Sequence, residues 1–200
     1  MKKKREKQTV DSGGKEYAKA QTIASQRVLR TGMVWDGLEN EFRETCNRLA
    51  GPEQTIRIAA VNLDQYGYAL REGLAHAIKR AVELDLSAVY FEYDLDNLWA
   101  GDFYLCKYYY PESANDDEWA CDWMESLDGP QQEELSDIYL ENHFDKTPTA
   151  KGSTLYLVAR TVALYGRGYS EIETPATLAI CIAFHDQDPI LRIQHPLDEV

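Results

Sequence analysis

The chain has 200 residues, 44% hydrophobic and 28% charged, with a net charge of −13. Gly 12, Pro 7 and Cys 4 are too few for collagen-like, low-complexity or disulfide-scaffold classes. No apolar run approaches the roughly 20 residues of a membrane span, and the acidic balance argues against a nucleic-acid binder, which carries a basic stripe.

The chain opens on MKKKREK, five cations and one acid, and Ser12-Gly13-Gly14 forms a joint after it. No apolar stretch follows, so residues 1–16 are expected to be a disordered basic tail, with 17–200 as a single domain. Residues 17–30 suit a weak helix. Trp35, Leu38, Phe42, Cys46 and Leu49 recur at helical spacing up to a stop at Gly51-Pro52. TIRIAAVNL, 55–63, is rich in β-branched residues and predicts a buried strand. Leu70, Leu74, Ala77, Ile78, Ala81 and Val82 form an apolar stripe that predicts a helix over 66–84.

SAVYFEYDLD, 87–96, alternates. Val89, Phe91, Tyr93 and Leu95 face one way and Tyr90, Glu92, Asp94 and Asp96 the other. A loop at 97–101 and a return strand over 102–110, ended by Pro111, complete a hairpin. Asp116 or Asp117 can cap a short helix carrying Trp119, Trp123 and Leu127, stopped at Asp128-Gly129-Pro130. A second helix carries Leu135, Ile138 and Tyr139, and a third covers 153–165 and ends near Gly166 or Gly168. TLAICIAF, 177–184, and ILRIQ, 190–194, form a second hairpin around Asp186-Gln187-Asp188-Pro189. The expected order is α, β, α, β-β, α, α, α, β-β. That predicts an α+β fold, an antiparallel or mixed sheet built from hairpins with helices packed mainly on one face.

Charge is segregated along this chain. Residues 81–145 hold eighteen acids, one cation (Lys107) and 13 of the 22 aromatic side chains. Disordered acidic segments are poor in aromatics, so this block is expected to fold. Dense carboxylates steer basic partners, and Tyr and Trp dominate interface hot spots. The expected function is therefore non-enzymatic: binding of a basic protein, in the manner of an immunity- or antitoxin-type or DNA-mimic inhibitor of a toxin or nuclease. The expected face comprises Glu92, Asp94, Asp96, Trp99, Tyr108, Tyr110, Asp116, Asp117, Glu118, Trp119, Asp122 and Trp123. The competing explanation is a solubilising acidic surface over an aromatic core.

No catalytic or cofactor motif stands in the chain. GxSxG, SxxK, Walker and Rossmann patterns are absent, and Gly166-Arg167-Gly168 follows a helix instead of opening one. Glu92, Asp94 and Asp96 on one strand face could serve a metal-dependent hydrolase, the alternative reading, but Trp99 and Leu105 stand where a calcium loop needs Gly and Glu. A Tyr-rich strand making a self-contact, in an oligomeric structural protein, is a third reading. His185, Asp186, Asp188 and His195 are read as turn chemistry, and His76 and His143 as ordinary histidines. No metal or cofactor is expected. Cys46, Cys106, Cys121 and Cys181, widely spaced, are read as reduced thiols of a cytosolic protein.

Overall fold

The computed structural model describes residues 32–114, 116–141, 146–187 and 190–196. The predicted basic tail, the weak helix at 17–30, His143 and the Asp188-Pro189 part of the last turn lie outside the described residues.

The amphipathic stripe from Trp35 to Cys46 folds as α1 (Gly32–Ala50), with Trp35, Leu38, Phe42 and Cys46 buried. The next segment corrects the sequence expectation. Residues 55–63 are not a strand; Pro52–Ala60 is helix α2. Pro52 sits at the start of that helix, where its fixed φ suits the helix and its missing N–H costs nothing, so Gly51-Pro52 both ends α1 and begins α2. The pattern that decides burial is Thr55 and Ile58, three apart, while Ile56 is exposed. α3 (Asp64–Glu83) buries Leu70, Leu74, Ala77, Ile78 and Ala81 of the predicted stripe, whereas Val82, on the neighbouring side of the helix, is exposed.

β1 (Ala88–Tyr93) and β2 (Gly101–Cys106) form the predicted hairpin, but β2 ends four residues before Tyr110. Between Pro111 and Asp128 the expected helix is absent. Two short 3₁₀ turns (Glu112–Ala114 and Glu118–Cys121) lead into a strand, β3 (Trp123–Asp128). The i, i+4 spacing of Trp119 and Trp123 therefore does not place them on one helix face. Nor do residues 112–142 form a pair of acidic helices. Among the described residues there, the α-helix is α4 (Glu133–Leu140), burying Leu135, Ile138 and Tyr139.

α5 (Pro148–Ser170) starts on a Thr147 cap, whose hydroxyl accepts the Ala150 N–H at 3.1 Å. It runs on through Gly166 and Gly168 instead of stopping there. A Cβ on Gly166 would lie 2.3 Å from the Trp35 ring, so this glycine lets α1 and α5 cross closely. β4 (Ala179–Phe184) and β5 (Leu191–Gln194) form the second predicted hairpin.

The fold is α+β. The strands make one mixed sheet in the order β3-β2-β1-β4-β5, with β1 and β4 parallel and the other neighbours antiparallel. The helices contribute to a core against one sheet face, built on Val89, Phe91, Tyr93, Phe103, Leu105, Ile180 and Ile182. Phe91 is its centre, with ring centroids 4.7 Å from Phe103 and 5.7 Å from Tyr165. Among the described residues, no helix is long and apolar enough to cross a membrane.

Candidate functional site

The second sheet face has a covered half and an open half. Alternation puts Ala88, Tyr90, Cys106, Ala179 and Cys181 on that face, in a separate apolar cluster closed by Trp119 and Ala120. The covering chain is the acidic stretch that follows β2. Its anchor is Arg192 of β5, 2% exposed, which alternates away from Leu191 and Ile193 in the main core. Arg192 pairs with Asp117 and donates to the carbonyls of Ile190 at 2.9 Å and Tyr110 at 3.3 Å. Its guanidinium lies 5.9 Å from the Tyr109 ring and 6.0 Å from the Trp119 ring. A cation this deeply buried is tolerated because it is paired and hydrogen-bonded.

The sequence-predicted face thus divides. Asp117 holds the cover in place, Trp119 is buried beneath it, and neither forms the outer surface. Trp99 is fully buried on the opposite, helix side, its indole N–H donating to Thr161 Oγ1 at 2.9 Å. Tyr108, Tyr110 and Trp123 stay 43 to 47% exposed, and Met124 is 62% exposed. Asp116, Glu118 and Asp122 are exposed beside them.

The three carboxylates expected on one strand face do not share it. Glu92 is on β1, but the strand ends at Tyr93, and Asp94 and Asp96 belong to the turn that returns to β2. Asp94 Oδ1 accepts the Asp96 N–H at 3.3 Å, and the neighbouring Asp94 carboxylate, able to accept from a protonated Asp96, raises the Asp96 carboxyl above its ordinary value. The row the structure builds runs across strands. Glu92 pairs with Asp102 of β2, and Asp102 with Asp128 of β3, so three carboxylates lie side by side on the open half. Like charges directly opposite oppose sheet formation. Burial, with Asp128 and Glu92 alongside, raises the Asp102 carboxyl. A parallel aromatic row, with Tyr90–Tyr104 centroids at 6.0 Å and Tyr104–Trp123 at 5.5 Å, leads to the sheet edge.

Sequence reasoning also missed a contact between segments. His185, just past β4, places Nδ1 2.9 Å from Glu92 Oε1, and the Tyr90 hydroxyl donates to Glu92 Oε2 at 2.6 Å. The Glu92 hydrogen bond and charge raise the His185 pKa above its ordinary 6.5. A raised folded pKa means that the pair's stabilisation is complete below about 6.5 and is lost as pH rises through the folded value. An NMR titration should find His185 above 6.5, and Glu92→Gln should bring it back toward 6.5. An unshifted His185 in the wild type would show that the pair does not form in solution.

Other chemistry is thin. Among the described residues, no three His, Cys, Asp or Glu side chains converge in a way that could hold a metal ion. Cys46, Cys106 and Cys181 are buried; desolvation pushes the Cys106 thiol up to about 12 and raises Cys181 further. Cys121 is exposed. A cleft of about 620 Å³ between α2, α3 and α5 is lined by Arg71, Arg160 and Arg167. Each is already engaged: Arg71 with Glu171 and Glu72, Arg160 with Glu39, and Arg167 with Asp36 and Glu39. The cleft therefore offers no uncompensated positive charge for an anion. Comparison with known proteins finds no matching family model, no similar curated protein and no similar solved structure.

Proposed function

We propose that this chain is a protein-binding protein that docks a cationic partner on the acidic aromatic surface formed by the 108–128 stretch and the open half of the second sheet face. The observation that carries the reading is the pairing of charge with exposed aromatic area. From Glu112 to Asp128 there are seven acids and no Lys or Arg. Asp117 faces Arg192 and Glu125 faces Arg80, whereas Glu112, Asp116, Glu118, Asp122 and Asp128 are exposed, as are Trp123, Tyr108 and Tyr110 in the same stretch of chain. A surface needed only for solubility has no use for exposed tryptophan. Exposed carboxylates would accelerate encounter with a basic protein, and the aromatic side chains would supply contact area once it has docked. In the inhibitory form of this reading, the face occupies the nucleic-acid cleft of a basic toxin or nuclease.

The test uses the full chain as bait in lysate of the organism that encodes it. The wild type should retain a basic protein that elutes with salt. Changing Glu112, Glu118, Asp122 and Asp128 together to Lys should abolish retention, and Trp123→Ala should weaken binding of the purified partner by ~2 kcal/mol if it is an anchor. Asp117 is left unchanged because it holds the fold. Trp123→Ala should leave stability within ~0.5 kcal/mol, as expected of an exposed side chain. A partner retained equally by the fourfold variant would contradict the proposal.

A further inference from the structure

We infer that the occupant docks by strand addition: an extended, lysine- or arginine-bearing segment of the partner pairs with the open edge of β3. This rests on the docking reading above and says how the partner is held.

β3 is an edge strand, paired only with β2 among the described residues. The hydrogen-bond phase of β2 shows which of its groups are free. Gly101 turns both backbone groups toward the β3 side: its N–H donates to Pro130 O at 3.2 Å and its C=O accepts the Gly129 N–H at 2.8 Å. Cys106, five residues on, turns its carbonyl the other way, to the Ser87 N–H at 3.0 Å. By alternation, Phe103 and Leu105 also face β3, and their partners Leu127 and Glu125 face back toward β2. Ser126, between them, therefore directs its N–H and C=O outward, and no partner for either is found among the described residues.

Natural edges are usually blunted by Lys, Pro, shortness or a covering element. β3 has six residues and no Pro or Lys, and it carries Trp123 and Met124 exposed; its register against β2 shifts between the Leu105–Glu125 and Cys106–Trp123 pairs, which confines the regular open edge to the Ser126 end. The opposite edge differs: β5 has four residues, and its Gln194 side chain donates to the carbonyls of Pro175 and Leu178. The charge around β3 selects the occupant. Asp122 and Asp128 bracket the edge, with Asp102 beside Asp128. A second copy would bring its own Asp122, Glu125 and Asp128 to the same edge, and these like charges repel. A cationic strand whose backbone pairs with Ser126 would set one Lys or Arg beside Asp128, at the outer end of the carboxylate row, and another toward Asp122 at the far end of the edge.

The probe is a fluorescent peptide of about eight alternating Lys and Val residues, a usual strand length, compared with the same peptide carrying Pro in place of Val. The Pro peptide has equal charge but lacks the N–H of every second residue, and its prolines hold φ near −65°, which opposes an extended paired strand. Anisotropy at low salt should show the Lys-Val peptide binding about tenfold or more tightly than the Lys-Pro peptide. Ser126→Pro should remove that preference while keeping the fold, because an edge proline with its nitrogen outward is tolerated. Ser126→Thr should retain it. Hydrogen exchange at the Ser126 amide should slow on saturation with the Lys-Val peptide. Equal binding of the two peptides, unchanged by Ser126→Pro but abolished by the fourfold charge reversal, would overturn strand addition and leave electrostatic docking standing. Failure of the Lys-Val peptide to bind at all would also overturn strand addition. Docking itself is then judged by the captured partner and the fourfold variant.

Discussion

Trp99→Ala should destabilise the protein by about 3–5 kcal/mol, the range for emptying a buried aromatic site. Trp99 lies at the end of the β1–β2 turn and is fully buried, with ring centroids 5.5 Å from Tyr93 and 6.3 Å from Tyr139. Its backbone φ of 51° is one that L residues rarely adopt, as is the 58° of Leu98 before it. The turn accepts that conformation because it drives the indole into the core and onto the Thr161 hydroxyl. At this chain length the loss corresponds to a fall in Tm of roughly 10 °C. Trp99→Phe, which keeps most of the area but leaves Thr161 without its donor, should cost about 1–2 kcal/mol. Thermal or urea unfolding checks both. An Ala variant as stable as the wild type would mean that Trp99 does not fill the core, and it would return to consideration as a surface anchor.

Asp117→Ala should cost about 3 kcal/mol and loosen the chain over the second sheet face. The change leaves Arg192 buried without its counter-ion, although two backbone carbonyls still accept from it. Asp116→Ala, next in sequence but exposed, should change stability by no more than ~0.5 kcal/mol. Replacing both members of the pair, Asp117→Leu with Arg192→Met, should be milder than Asp117→Ala alone, because no unpaired charge remains inside. Denaturant unfolding of the four proteins, with hydrogen exchange across residues 107–122, separates local release from global loss. Equal effects of Asp116→Ala and Asp117→Ala would show that the buried pair does not anchor the segment.

What the sequence disclosed follows from periodicity. α1, α3 and α4 show apolar stripes, β1 alternates, and both hairpins are bounded by turn residues; those give the α+β class. Two local signals misled. β-branched residues at 55–63 imitate a strand, and Gly51-Pro52, which ends one helix, also begins the next. Trp119 and Trp123, four apart, imitated a helix face where a 3₁₀ turn and a strand put one inside and one outside. The site was hidden for another reason. The Glu92–Asp102–Asp128 row depends on strand register, and Glu92–His185 joins residues 93 apart in sequence. Nothing in ILRIQ marks Arg192 as a buried anchor. Yet that burial decides that Asp117 belongs to the fold and its acidic neighbours to the surface. The acidic stretch was legible as a feature of composition; which of its members face solvent was not.

The measurement that tests the docking account most directly is the association rate of the captured partner as a function of salt, followed by stopped-flow fluorescence. At 0.15 M salt the screening length is about 8 Å, so long-range steering weakens steeply across the range from about 0.05 to 0.5 M. The account predicts a fast association at low salt that slows by roughly tenfold or more over that range. It predicts that the fourfold reversal of Glu112, Glu118, Asp122 and Asp128 removes most of this salt dependence. Trp123→Ala should act on the dissociation rate instead. An association rate indifferent to salt, and the same in the wild type and the fourfold variant, would contradict the account and leave this surface as a solubilising one.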